Sequence, residues 1–210
     1  MDHGASRLKG VYLITDTVIQ QRYSHRQLAG FALEAGVHMI QYRDKVAGAR
    51  QALEELRVIS AMTRPSATRF IINDRADLAI AGGTDGVHVG QDDLPVSAAR
   101  DVVGAGLIVG GTSSTLEEAL QVERDGADYV ALGHIFETTT KQKKYAPLGL
   151  EVLAEVCRAV SIPVIAIGGI TLENAQWVRD AGADVIALCA PICMADEPVR
   201  AASRFVELFD

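Results

Sequence analysis

Two stretches of the chain combine residue types that suit ligand chemistry better than packing. The first is Thr138-Thr139-Thr140-Lys141, which follows the apolar run Asp128-Tyr129-Val130-Ala131-Leu132 and the residues Gly133-His134-Ile135-Phe136-Glu137. Three hydroxyls and a cation at the end of a buried strand suit the mouth of a site for a phosphorylated ligand. The continuation to Gly149 has neither helical nor strand periodicity and reads as a loop, where functional groups concentrate. The second is Gln41-Tyr42-Arg43-Asp44-Lys45. With a period of two, Gln41, Arg43 and Lys45 point the same way, as an anion site needs.

Other polar groups follow other apolar runs. Ile71-Ile72 leads to Asn73-Asp74-Arg75, and Gly86-Val87-His88-Val89 leads to Gly90-Gln91-Asp92-Asp93. These carboxylates could cap the helices that follow. On neighbouring strands, Asp74 and either Asp92 or Asp93 would also lie close together beside the lysine and arginine cluster. Two such carboxylates repel unless a cation intervenes, and a Mg²⁺ held by one or two carboxylates and substrate phosphates would resolve that. In Gly110-Gly111-Thr112-Ser113-Ser114-Thr115, Thr115 with Glu118 has capping-box spacing, which leaves Thr112 as the ligand contact. The pair Gly168-Gly169, together with Leu188-Cys189-Ala190-Pro191, could cradle a phosphate on backbone N–H groups, although Pro191 has none to offer. His134 could shuttle a proton or be a hydrogen-bonded wall residue. His88, inside an apolar strand, reads as structural.

The elements that must position these groups recur along the whole chain. Apolar, β-branched runs at 11–15, 38–42, 70–73, 86–89, 107–110, 129–133, 163–167 and 185–189 alternate with segments of helical period. Those segments include 24–35, 51–63, 115–124, 150–160, 171–181 and 198–209. Strands apolar on both faces imply a parallel sheet covered by helices. Glycine recurs at helix-to-strand transitions, as Gly36, Gly83, Gly126 and Gly182, where a helix C-cap calls for positive φ. Eight strands in 210 residues suit an α/β fold of the (β/α)₈ TIM-barrel type, spanning 1–210 as one domain, with function at the strand C-termini. An open doubly wound sheet fits less well, because Leu13-Ile14-Thr15-Asp16 provides no glycine-rich turn after the first strand.

Composition narrows the function classes. The net charge of −7 argues against a general nucleic-acid or anionic-membrane surface. No apolar run reaches membrane-helix length, and the first residues lack the apolar region of a secretory signal. Cys157, Cys189 and Cys193 form no CxxC pair, so a disulfide framework or zinc site is not expected. A cytoplasmic protein with small-molecule partners is the expectation.

With these motifs assembled, the chain resembles the thiamine-phosphate synthase family from about Val11 to Phe209. The resemblance rests on Gln41–Lys45, Ile72–Arg75, Gly86–Asp93, the Thr138–Lys141 loop and Ala166-Ile167-Gly168-Gly169-Ile170. It implies an enzyme that joins a hydroxymethylpyrimidine diphosphate to a thiazole phosphate with Mg²⁺, releasing diphosphate. It implies that Gln41, Arg43, Lys45 and Asn73 hold the pyrimidine diphosphate and that Asp74 and Asp93 bind Mg²⁺. Lys141 would hold the diphosphate, and Thr138, Thr140, Gly169 and the backbone near Leu188 and Cys189 the thiazole phosphate. Arg43, Lys45, Lys141 and Thr112 form the expected catalytic set, and a homodimer is common among relatives. The chain departs from the family where Ser114 stands for a histidine and where Cys189-Ala190-Pro191 replaces a serine-containing segment. The rival readings are a thiazole tautomerase on the same barrel, for which His134 would be catalytic, a non-catalytic sensor of thiamine or thiazole phosphate, and a phosphosugar isomerase.

Overall fold

The structure, a computed structural model, describes residues 8–138 and 146–209. Eight parallel strands alternate with helices and close on themselves, β1 pairing with both β2 and β8. In chain order the elements are β1 (Gly10–Thr15), α1 (His25–Glu34), β2 (Met39–Tyr42), α2 (Ala49–Thr63), β3 (Arg69–Asn73) and α3 (Ala76–Gly82). There follow β4 (Gly86–Val89), α4 (Val96–Val103), β5 (Ile108–Ser113), α5 (Leu116–Arg124), β6 (Tyr129–Gly133) and α6 (Gly149–Ala159). The chain ends in β7 (Val164–Ile167), α7 (Ala175–Asp180), β8 (Val185–Leu188), α8 (Ala190–Cys193) and α9 (Pro198–Phe209). This is the expected (β/α)₈ barrel.

Alternate residues of each strand serve two different cores. Val11, Leu13, Ile40, Phe70, Ile72, Val87, Val130 and Leu132 face outward and pack against Leu28, Leu56, Ile59, Leu153 and Phe205 of the helices. Tyr12, Ile14, Met39, Ile71, Tyr129, Ala131, Ile165, Val185 and Ala187 fill the barrel interior. Both faces are dry, which is why the strands show no polar alternation.

The recurrent segment before the even-numbered strands has a structural explanation. Gly36, Gly83, Gly126 and Gly182 all have positive φ. Just after each comes a side chain that accepts the N–H at the start of the preceding odd-numbered strand. His38 Nδ1 takes Val11 N at 3.2 Å, and Asp85 takes Phe70 N at 2.7 Å. Asp128 takes Val109 N at 2.7 Å, and Asp184 takes Val164 N at 3.0 Å. The repeat unit is therefore a pair of βα units, clamped at the N-terminal end of the barrel.

One strand departs from expectation. The sequence suggests an end at Gly110, but β5 continues through Gly111, Thr112 and Ser113. Gly110 serves packing rather than a turn. It pairs in register with Tyr129, and a Cβ there would lie 2.0 Å from the tyrosine ring. Without that side chain the Tyr129 ring reaches across β5 and stacks on His88, with centroids 5.6 Å apart and planes 8° from parallel. Because β5 continues, Thr112 stands on the strand and faces inward rather than on a loop.

Candidate active site

The C-terminal mouth of the barrel collects most of the residues singled out by the sequence. On its β2 side Arg43 is paired with Asp16, a buried carboxylate just beyond β1, and Lys45 with Asp74. Asp16 is further fixed by the backbone N–H groups of Val18 at 2.8 Å and Ile19 at 3.3 Å. Beneath this ladder Tyr42 and His25 pack together, and His25 bridges Thr15 Oγ1 at 2.7 Å and Asp44 at 3.5 Å. Burial holds the His25 imidazole below its usual range, although Asp44 opposes this. Asp44 also accepts Val46 and Ala47 N–H at 2.9 Å, so it shapes the loop that presents Lys45.

Asp74 and Asp93 meet beyond the ends of the adjacent strands β3 and β4. Neither they nor Asn73 and Asp92 act as helix caps, since α3 and α4 begin after Arg75 and Pro95 with no side-chain cap. Asp74 has φ +64, a region that aspartate tolerates better than most residues but still uncommon. Asp93 accepts Gly90 N at 3.0 Å, while Asp92 is exposed. Burial and the hydrogen-bonding Asp93 carboxylate push Asp74 upward, despite Lys45. For Asp93 burial acts upward too, but the bonds from Asp74 and Gly90 outweigh it and leave the carboxyl below its usual range. Two carboxylates in such contact repel one another when both are ionised, so the pair is suited to a cation. Among the described residues no three His, Cys, Asp or Glu side chains group as a metal cage. A two-carboxylate set open to the mouth fits a hard ion such as Mg²⁺, which keeps water and takes its other oxygens from a ligand.

The floor of the mouth is polar. Buried Gln41 donates from Nε2 to the Tyr12 hydroxyl at 2.8 Å. Thr112 Oγ1 lies 2.9 Å from His88 Nε2. Burial drives the His88 pKa down to about 4, so the ring is neutral near pH 7. His88, expected to be structural, thus lies inside the barrel in contact with Thr112. Half-buried Asn73 pairs with His88 across the β3–β4 ladder.

At the opposite side, Gly168 and Gly169 pack against the chain that leaves β6. A Cβ at Gly168 would meet the His134 Cβ at 2.4 Å, and one at Gly169 the Glu137 carbonyl at 2.3 Å. His134 is 4% exposed and belongs to this wall. Thr138 is half-buried at the edge of the described residues, while Thr140 and Lys141 lie outside them. Leu188 turns its side chain into the helix-facing core, so it can offer a ligand only backbone. Half-buried Cys189 is packed at the edge of the interior core and precedes α8. Ser114 is held by Glu118, its N–H at 2.6 Å and its hydroxyl at 2.8 Å from the carboxylate. Thr115 accepts the Glu118 N–H at 3.1 Å, as a cap should. All three cysteines are free, and only Cys193 is fully buried. No helix among the described residues is long and apolar enough to cross a membrane.

Sequence reasoning missed Asp16, Tyr12 and Tyr129. Asp16 carried a usable signal, a carboxylate directly after a strand, like Asp74. The tyrosines carried little, since nothing in an all-apolar strand tells inward from outward.

The family described as thiamine monophosphate synthase matches residues 11–192. The thiamine-phosphate synthase of Chloroflexus aurantiacus is 46% identical over 194 residues, covering 92% of this chain and 89% of that one. A thiamine phosphate pyrophosphorylase from Pyrococcus furiosus superposes with a TM-score of 0.87 at 35% identity, covering 96% of this chain and 95% of that one. A 3-hexulose-6-phosphate synthase, with a TM-score of 0.72 at 20% identity and covering 96% of this chain and 100% of that one, shares the fold alone. The chain belongs to the thiamine monophosphate synthase family.

Proposed function

We propose that the barrel mouth couples 4-amino-5-hydroxymethyl-2-methylpyrimidine diphosphate to thiazole phosphate, giving thiamine phosphate and diphosphate, and that all 210 residues act as one domain in this. The observation that carries the reading is the contact of Asp74 with Asp93 beside Lys45. That pair has a use where a diphosphate and a cation arrive together. It has little use in a tautomerase or in a sensor that needs affinity alone.

Gln41 and Thr112 hold the pyrimidine ring over the floor, with Asn73 at its edge. Lys45, Arg43 and, from beyond the described residues, Lys141 bind the diphosphate. These cations stabilise negative charge where it develops as the CH₂–O bond breaks and the diphosphate leaves with the electron pair. Mg²⁺ held by Asp74 and Asp93 would neutralise the same oxygens when bound. The thiazole nitrogen then forms the new C–N bond, so orienting the two rings is the other large contribution of the protein. Thr138, Thr140, Gly169 and the backbone at Leu188 and Cys189 hold the thiazole phosphate. Residues 138–147 exclude water that would otherwise capture the pyrimidine cation. His134, packed as a wall, has no proton to move in this scheme.

The test is diphosphate release on mixing protein, both substrates and Mg²⁺, with and without EDTA. Release that requires both substrates and the metal supports the reading. No release from folded protein, with isomerisation of a thiazole carboxylate phosphate instead, would replace it with the tautomerase.

A further inference from the structure

Five side chains from five strands are joined in a single file beneath the mouth. Gln41 Nε2 donates to the Tyr12 hydroxyl at 2.8 Å, and the Tyr12 and Tyr129 hydroxyls are 3.3 Å apart. The Tyr129 hydroxyl is 3.0 Å from His88 Nδ1, and His88 Nε2 is 2.9 Å from Thr112 Oγ1. Tyr12, Tyr129 and His88 are buried, and each hydroxyl or ring that forms a middle link touches two neighbours.

The donor and acceptor inventory makes this file directional. A hydroxyl has one proton, and a neutral imidazole has one N–H and one lone pair. The imidazole must accept on one side and donate on the other, and a buried tyrosine that accepted on both sides would leave its own proton without a partner, so the fully paired file has all links pointing the same way. With Gln41 N–H donating, Tyr12 donates to Tyr129, Tyr129 to His88 Nδ1, and His88 Nε2–H to Thr112. The two end members are then left with opposite roles toward the mouth. Gln41 offers its Oε1 acceptor, and Thr112 offers its proton. Reversing either end means reversing every link.

The Gln41 amide, with Nε2 toward the Tyr12 hydroxyl, chooses between the two directions. Arg43 and Lys45, just beyond β2, are each paired with a carboxylate, Asp16 and Asp74, while Asp93 lies beyond His88, which feels its charge. The Asp93 carboxylate draws protons along the file in that same direction, and side-chain dipoles orient in such a field.

We propose that Tyr12, Tyr129 and His88 are positioning residues that form a buried polarity relay, fixing Gln41 as acceptor and Thr112 as donor so that the pocket selects an aminopyrimidine over its 4-oxo counterpart. This rests on the pyrimidine reading of the site. An aminopyrimidine presents N–H donors at its amino group and lone pairs at its ring nitrogens, which match the two ends. The 4-oxo ring presents a carbonyl where the amino group was, and an acceptor then faces an acceptor. Unlinked, Gln41 and Thr112 could each rotate to suit either ring, and discrimination would fall.

The first experiment reads the relay without substrate. In protein carrying ¹⁵N-labelled histidine, the His88 signals should show Nε2 protonated and Nδ1 bare. Gln41→Glu makes the β2 end an obligate acceptor once the introduced carboxyl ionises. The His88 proton should then move from Nε2 to Nδ1 at the pH where the ¹³C carboxyl shift records that ionisation. Ionisation with no change of tautomer, or a wild-type ring protonated at Nδ1, overturns the relay. The second experiment cuts the file with Tyr12→Phe, which keeps the ring and its packing. The ratio of Ki for the 4-oxo pyrimidine diphosphate to KM for the amino substrate should fall about tenfold. An unchanged ratio in the folded variant overturns the specificity role. Wild-type protein that ignores the amino substrate would refute the proposed reaction, while the tautomer measurement would still decide the relay.

Discussion

The two ends of the barrel are built from the same eight strands and use their aspartates in opposite ways. At the N-terminal end Asp85, Asp128 and Asp184 each accept a backbone N–H from the neighbouring strand, and Arg100 meets Asp128 at 2.5 Å. Every one of these carboxylates satisfies a donor that the fold itself creates. At the C-terminal end Asp74 and Asp93 face one another, one backbone has φ +64, and the nearest cation is half-exposed Lys45. Those groups do little for the fold as they stand, and under the proposed function the arrangement becomes favourable when a cation and a diphosphate enter. The strand-start aspartates are thus clamps, while those at the strand ends divide: Asp16 holds Arg43 and the N–H groups of Val18 and Ile19, and Asp74 and Asp93 face each other. Strain and like charge are tolerated at functional sites because the rest of the structure holds them in place.

Substitutions at the two ends should therefore separate activity from stability. The largest effect belongs to the mouth. Lys141→Ala and Asp93→Asn should each lower kcat by on the order of 10²–10³-fold, the scale of losing one stabilising group at a developing charge. In Asp93→Asn without metal, the melting temperature should hold or rise, since a like-charge contact is gone. A melting temperature that falls with kcat would make Asp93 part of the fold and blur the contrast.

Between the two ends, Gly110→Ala puts a Cβ into the Tyr129 ring and should cost on the order of 3 kcal/mol in urea unfolding. His88 makes a test of similar size by pH. Its folded pKa of about 4 lies below the unfolded value, so the unfolded chain binds the proton first. Stability should be level above about pH 6.5 and decline by up to about 3 kcal/mol as the pH falls toward 4. His25, shifted the same way by burial, adds to the decline. His88→Gln should flatten it, and an equal decline in that variant would remove His88 as its source. The smallest effect belongs to the closed end. Asp128→Ala leaves Val109 N–H without its acceptor and should cost about 1–3 kcal/mol, with kcat/KM of the folded protein unchanged.

The architecture was legible because eight apolar runs alternate with helical periods and the groups of the mouth follow those runs directly. Asp74, Asp93, Gln41 and Lys45 are visible for that reason, since polar residues that end a dry strand stand out. The floor was not legible. Tyr12 faces inward and Val11 outward, yet both are apolar surroundings in a strand buried on both sides, so the alternation that sets register leaves no trace. Gly110-Gly111 misled for a related reason. Glycine marks turns by its backbone freedom, but here Gly110 is needed for the space its missing side chain leaves to a tyrosine from the next strand, a long-range fact. The Arg43 partner Asp16 lies 27 residues away, and only closure of the barrel brings the ends of β1 and β2 together.

The central claim, that the mouth keeps two carboxylates apart from the fold in order to hold a cation with a diphosphate, is tested most directly by calorimetry. Binding of a non-reactive pyrimidine diphosphate analogue would be titrated with and without Mg²⁺, in wild type and in Asp93→Asn. The account predicts that Mg²⁺ tightens binding at least about tenfold in wild type and by much less in the variant. Equal tightening in both proteins, or none in either, would contradict it.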